Sequence, residues 1–220
     1  MPTRGARHTT PGSPFLTDLR LDESFVEPGQ FPFTLPCVAQ GLTLQFTTPV
    51  TFFVGENGSG KSTLLEAIAW KTGFAARGGT RQHRSDDDGD GHALGRALRL
   101  AWRQRVTDGF YLRAETFHEF GRFLEDMGST FRGYGDAPLR ERSHGEAFLA
   151  VMQERFTDGL VLLDEPEAAL SPQRQLALLT LLHQLAAGRA VQFVIATRSP
   201  ILLALPGATL LSFDDGAPHP

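Results

Sequence analysis

Nothing constrains this chain more than Gly55-Glu56-Asn57-Gly58-Ser59-Gly60-Lys61-Ser62, which fits the phosphate-loop pattern G-x-x-x-x-G-K-[ST]. Its flanks are the ones the pattern needs. Val50 to Val54 is a β-branched and aromatic run that reads as a buried strand, and Ser62 to Lys71 reads as a helix stopped by Gly73. Glycines let successive backbone N–H groups point into one concavity, and the helix N-terminus adds partial positive charge there. Lys61 would then reach the β- and γ-phosphates of a nucleotide, and the Ser62 hydroxyl would ligate Mg²⁺.

The strands and helices around this loop set the fold class. Leu160 to Leu163 and Val191 to Ala196 are continuous apolar runs of the kind found in buried parallel strands, and Leu210 to Phe213 is a last strand. Between them Ser171-Pro172 opens a helix that runs to about Ala187 and stops at Gly188. Strands alternating with helices predict a three-layer α/β fold with a mainly parallel core sheet. An antiparallel β portion at the edge comes from the first half. There Leu19 to Leu21 reads as an edge strand and Leu42 to Phe46 as another. Ala97 to Trp102 and Phe110 to Arg113 read as a hairpin turning at Thr107-Asp108-Gly109.

With 220 residues the chain has room for one domain. Residues 1–14, rich in Pro, Thr, Arg and Gly, are expected to be a disordered tail, and 15–220 a single domain. Residues 77–91 hold Asp86-Asp87-Asp88-Gly89-Asp90, which lacks the length and terminal Glu of an EF-hand and reads as a mobile acidic, glycine-rich insertion. A net charge of −4 gives no global field for nucleic acid or anionic membranes. Arg96, Arg99, Arg103 and Arg105 beside Trp102 read as a polar stripe, with a basic nucleic-acid face as the other reading. The single cysteine, Cys37, fits a reducing compartment, and no apolar run approaches a membrane span, so a cytoplasmic protein without membrane insertion is expected. Phe117, Phe120, Phe123 or Leu124, and Met127 recur at helical spacing, as do Phe148, Leu149, Met152 and Phe156 in Gly145 to Phe156; both sets read as core.

The strand Leu160 to Leu163 ends in Asp164-Glu165-Pro166. Ligands of open α/β sheets sit at the carboxyl ends of the strands, so both acids emerge where the glycine loop presents phosphates. Asp164 is the candidate metal contact. Glu165 is the candidate general base for an attacking water.

These segments together resemble a known family. Gly55–Thr63, Leu160–Glu167, Ala169-Leu170-Ser171-Pro172 and Ile195–Pro200 look like the Walker A, Walker B, D-loop and H-switch segments of ABC-type ATPases. The nearest likeness is to small stand-alone bacterial AAA-family or ABC-like ATPases, which resemble the heads of double-strand-break-repair and chromosome-maintenance ATPases. The resemblance spans about Leu19 to Phe213 and implies a P-loop NTPase that takes ATP and Mg²⁺. By that likeness Gly55, Glu56, Asn57, Gly58, Ser59, Gly60, Lys61, Ser62 and Thr63 hold nucleotide, and Ser62 and Asp164 hold the metal. Ser143-His144-Gly145-Glu146, 21 positions before Asp164, falls where the ABC signature would be. Ser143, Gly145 and Glu146 would then meet the γ-phosphate held by a second subunit, implying a nucleotide-dependent homodimer. Ser at a helix N-cap followed by Gly can offer a hydroxyl, N–H groups and the helix dipole to an anion.

The chain departs from the family at the switch, where Arg198 in Thr197-Arg198-Ser199-Pro200 replaces a histidine. Arginine cannot relay a proton, but it can fork onto phosphate oxygens. Catalysis is therefore assigned to Glu165, Lys61 and Arg198. Glu115 in Arg113–Phe117 stands where a glutamine loop would be. Phe33 is the counterpart of an adenine-stacking aromatic, with a core or loop-anchor role as the alternative. Three functions remain: an ATPase that dimerises around ATP, an ATP-gated module with little hydrolysis that engages DNA or a nuclease/effector partner, and the nucleotide-binding subunit of a transporter. A small-molecule kinase would lack the Asp164-Glu165 strand and switch, and a GTPase would need Asn-Lys-x-Asp, which is absent.

Overall fold

A computed structural model describes residues 12–74, 91–115, 149, 152–153 and 158–219. Two sheets form its frame. The smaller is antiparallel, with β1 (Leu16–Leu21) between β2 (Thr43–Gln45) and β4 (Leu98–Trp102). The larger is parallel and five-stranded. It runs in the order β5 (Gly109–Arg113), β6 (Gly159–Asp164), β7 (Val191–Ala196), β3 (Val50–Val54) and β8 (Thr209–Ser212). The helices are α1 (Pro36–Ala39), α2 (Lys61–Thr72), α3 (Gly91–Ala97), α4 (Pro172–Ala187) and α5 (Pro200–Leu203).

The central strands are buried along their length and predominantly apolar because both of their faces are covered. On β6, Leu160 and Leu162 join one core with Phe53, Leu64, Leu65, Ile68 and Tyr111, under α2 and the antiparallel sheet. Val161 and Leu163 face the other way and join Phe52, Phe193, Leu178 and Leu182 under α4. The three layers are thus α2 with the small sheet, the parallel sheet, and α4. One polar side chain ties two of them together. Gln192 on β7 is fully buried, and its Oε1 accepts the N–H groups of Phe15 (2.7 Å) and Leu16 (2.8 Å), while its Nε2 donates to the Leu16 carbonyl (2.9 Å). Every polar atom of the amide is used, as a buried amide requires.

Several expectations are corrected. Leu19–Leu21 is part of a central strand rather than an edge one. The hairpin does not exist: β4 pairs with β1 in the small sheet, whereas β5 pairs with β6 in the large one. Gly109 is not serving a tight turn. A Cβ there would strike the Leu160 carbonyl, so the glycine lets β5 lie close along β6. Phe110, Tyr111 and Leu112 are all buried, a pattern that belongs to a two-faced parallel strand. Order also begins before Phe15, because Ser13 is fully buried and its N–H donates to the Arg189 carbonyl (2.9 Å). Of the arginine stripe, Arg99 is an outward residue paired with Asp22 (2.6 Å) and stacked 5.7 Å from the Phe25 ring centroid. Residues 1–11, the acidic insertion up to Asp90, the expected helix around Phe117–Met127 and the Ser143–Glu146 segment lie outside the described residues. Of the Gly145–Phe156 helix, Met152 is described and is fully buried beneath α4's side of the sheet.

Candidate functional site

A parallel sheet puts the carboxyl ends of all its strands on one edge, and the candidate residues gather along that edge. The glycine loop follows β3. Gly55, Gly58 and Gly60 take φ of 148°, 79° and 98°. Gly60 is needed twice over, since a Cβ would also collide with the Cys37 Sγ buried behind the loop. Helix α2 begins at Lys61 with Gly60 as its N-cap, one residue earlier than expected, and Gly73 closes it at φ 86°. Lys61 is 4% exposed, and its ammonium lies inside the loop, donating to the Gly55 carbonyl (2.7 Å), the Glu56 carbonyl (2.6 Å) and Ser59 Oγ (3.1 Å). Burial pushes its pKa down, while the negative charge of Glu165 works in the opposite direction.

Strand β7 separates β3 from β6, so the acids stand two strands away from the loop. The start of α2 spans that gap: Ser62 Oγ donates to Asp164 Oδ1 at 2.8 Å. Asp164 is 4% exposed, and burial raises its carboxyl to about 6, against the opposing effects of the Ser62 hydrogen bond and the Arg113 charge. A serine hydroxyl beside a carboxylate is a hard-oxygen pair. Among the described residues no cluster of three or more His, Cys, Asp or Glu forms a closed metal cage. That donor set fits Mg²⁺, which takes one or two protein oxygens and fills its octahedron with waters and phosphate oxygens.

Glu165 has a left-handed backbone, φ 47° and ψ 50°, directly before Pro166. A non-glycine residue in that region carries strain of order 1–3 kcal/mol, of the kind that clusters at functional sites. Its side chain is partly exposed, with Oε1 3.8 Å from Nε of the half-exposed Arg198 on the loop after β7. Lys61, Ser62, Asp164, Glu165 and Arg198 are therefore brought together.

Four further residues belong to this edge and escaped sequence reasoning as site members. Arg113 ends β5 and faces three acids, with Nε 3.5 Å from Asp164 Oδ2, Nη1 3.4 Å from Glu66 Oε2 and Nη2 3.8 Å from Glu115 Oε2. Glu66 sits one helical turn beyond Ser62, a spacing that puts the two on one face of α2. Asp214, just past β8, accepts the Glu56 N–H through Oδ1 at 2.7 Å. Glu167 accepts from Thr197 and Arg198 on the switch loop. Arg113 and Asp214 each follow or end a parallel strand, a signal available to sequence reasoning once the strands are paired. Glu115 is exposed, and its described polar partner is Arg113. Phe33 is 6% exposed and packed in the core under α2, which is the core or loop-anchor role.

Comparison with known proteins agrees with this fold. The AAA domain family matches residues 31–99, which include β3, the glycine loop and α2. No curated protein matches the chain. Among solved structures the chain is similar to the SMC head domain from Thermotoga maritima, at 16% identity and a TM-score of 0.53, over 94% of this chain and 98% of that one. It is similar to an SMC head bound to the C-winged helix domain of ScpA, at 14% identity and a TM-score of 0.53, over 93% and 97% of the two chains. It is also similar to an ATP-binding cassette of an ABC transporter, at 17% identity and a TM-score of 0.52, over 93% and 90%. The fold is accordingly the α/β fold of P-loop ATPases, as chromosome-maintenance heads and ABC cassettes have it. Among the described residues no helix is long and apolar enough to cross a membrane.

Proposed function

We propose that the chain binds ATP with Mg²⁺ at the carboxyl edge of the parallel sheet and hydrolyses its terminal phosphoanhydride bond. The observation that carries this reading is the meeting of Lys61, Ser62, Asp164, Glu165 and Arg198 across three separate strand ends. Loop N–H groups between Gly55 and Thr63, apart from that of Glu56, which Asp214 accepts, hold the phosphates, and Lys61 turns from the loop carbonyls to the β- and γ-oxygens. Mg²⁺, when held by Ser62 and Asp164, neutralises charge on the transferring phosphoryl group. Glu165 accepts the proton of the attacking water, and the guanidinium of Arg198 provides a fixed positive charge at the γ-phosphate. Arg113 and Glu66 keep the Asp164 carboxylate oriented between α2 and β6.

By likeness to the SMC and ABC structures, residues 15–220 act as one ATPase domain. Ser143, Gly145 and Glu146 complete the site of a second copy in an ATP-dependent homodimer. A winged-helix or other effector domain, a nuclease or DNA is the kind of partner such heads imply. A second reading has its own support. Arg198 stands against Glu165, and an arginine paired with the general base in place of a histidine suits an ATP-gated clamp with little hydrolysis. Steady-state ATP turnover decides between them. We expect Glu165→Gln to lower turnover by at least about a hundredfold while nucleotide affinity persists. Equal, slow rates in wild type and variant would establish the clamp.

A further inference from the structure

The contact that sets Arg198 lies in its backbone. We propose that Glu167 is a positioning residue for the switch arginine: by gripping the loop after β7 it aims the Arg198 guanidinium at the candidate γ-phosphate position. The inference rests on the nucleotide-site reading above. Glu167 lies in the short turn that follows Glu165 and uses both carboxylate oxygens on one loop. Oε2 accepts the Thr197 hydroxyl (2.7 Å) and Oε1 accepts the Arg198 N–H (2.7 Å). Thr197 is fully buried, and its Oγ1 in turn accepts the Ser199 N–H (3.0 Å). Ser199 Oγ meets Gln175 Oε1 on α4 (2.5 Å), and Gln175 Nε2 donates to the Leu170 carbonyl (3.1 Å). Three consecutive residues, 197 to 199, are thereby fixed from two directions.

The side chain these bonds leave unfixed is that of Arg198, whose described ionic contact is the 3.8 Å approach to Glu165. A long side chain at the surface loses rotamer freedom on engaging a ligand, and an anchored backbone reduces that loss. Charge-assisted bonds from a carboxylate to N–H and O–H donors are strong enough to hold the loop in one arrangement. Glu167 thus links the acid strand to the switch: Glu165 presents its carboxylate, and two residues on Glu167 orders the arginine that faces it.

The experiment compares wild type, Glu167→Ala, Glu167→Gln, Arg198→Ala and the double variant Glu167→Ala/Arg198→Ala as full chains. The probes are a fluorescent, slowly hydrolysed ATP analogue and the matching ADP compound, both with Mg²⁺, alongside thermal melting. Glu167→Ala is expected to weaken the triphosphate about tenfold and the diphosphate by less than about twofold. Glu167→Gln, which keeps an acceptor for the Arg198 N–H, recovers most of the loss. In the Arg198→Ala background Glu167→Ala has no further effect, because it acts through that arginine. Equal weakening of both nucleotides, or the same loss in both backgrounds, overturns the proposal and makes Glu167 a structural staple. Should Glu167→Ala fail to fold, Thr197→Val cuts one arm of the grip and is held to the same two outcomes. Wild type that binds neither nucleotide removes the site reading and this inference together; wild type that binds while Glu167→Ala changes nothing removes the inference alone.

Discussion

The glycine loop and the acid-switch segments face each other across one sheet edge, yet they are held in different ways. The loop is shaped by its own backbone. Its glycines take conformations other residues avoid and Lys61 is bonded to loop carbonyls, while Asp214 on the Glu56 N–H and Cys37 behind Gly60 add support from outside residues 50–73. The acid and switch side is shaped by side chains from distant parts of the chain: Ser62 to Asp164, Arg113 to Asp164, Glu167 to Thr197 and Arg198. Local geometry makes the loop a fixed receptacle. The other half is held by polar contacts between segments far apart in sequence.

If this contrast holds, a loop substitution is mainly a packing and backbone event. Gly60→Ala must place a methyl at φ 98° and against Cys37 Sγ. Left-handed strain of about 1–2 kcal/mol and overpacking of about 1–3 kcal/mol predict a loss near 3 kcal/mol, or roughly 6–12 °C in Tm. Adding Cys37→Ala should return the packing share and leave the backbone share. No recovery in the double variant would show that the loop is not seated on Cys37.

The acid side predicts an electrostatic response of smaller size and opposite sign. The Asp164 pKa is raised from 3.8 to about 6 by burial, so the folded chain holds a proton there that the unfolded chain has already released. Between about pH 4 and 6 the folded state binds more protons, and stability falls as pH rises through that window. Above it the ionised, buried carboxylate costs about 2–3 kcal/mol. Asp164→Asn in metal-free buffer should therefore be more stable than wild type by roughly 2 kcal/mol at pH 8, the loss of Arg113's partner taking up the remainder, with no gain at pH 4. Urea unfolding at the two pH values measures it. A variant that is less stable at pH 8 would mean the Ser62–Asp164–Arg113 contacts outweigh burial.

The same contrast explains what was legible in the sequence. The loop, its strand and its helix could be read to within a residue because their determinants are contiguous. The acid strand was legible as an apolar run ending in Asp164-Glu165, and β7 because its two buried faces leave no alternation to misread. The hairpin failed because alternation in two neighbouring segments says nothing about which sheet each joins; Gly109 looked like a turn residue and is a close-approach residue. Arg113, Asp214 and Glu167 were not legible as site members, since each acts through a partner more than 25 positions away or at another strand's end. Gln192 in an apolar run gave no hint that it fastens β1.

The central claim is that two differently built halves make one Mg²⁺-ATP site, and a direct binding measurement tests it. Calorimetric titration of ATP into the Glu165→Gln chain, with and without Mg²⁺, should show one nucleotide per chain. Affinity should fall at least about tenfold on metal removal and about a hundredfold or more in the Lys61→Ala background. No binding, or binding indifferent to both Lys61 and Mg²⁺, would contradict the account.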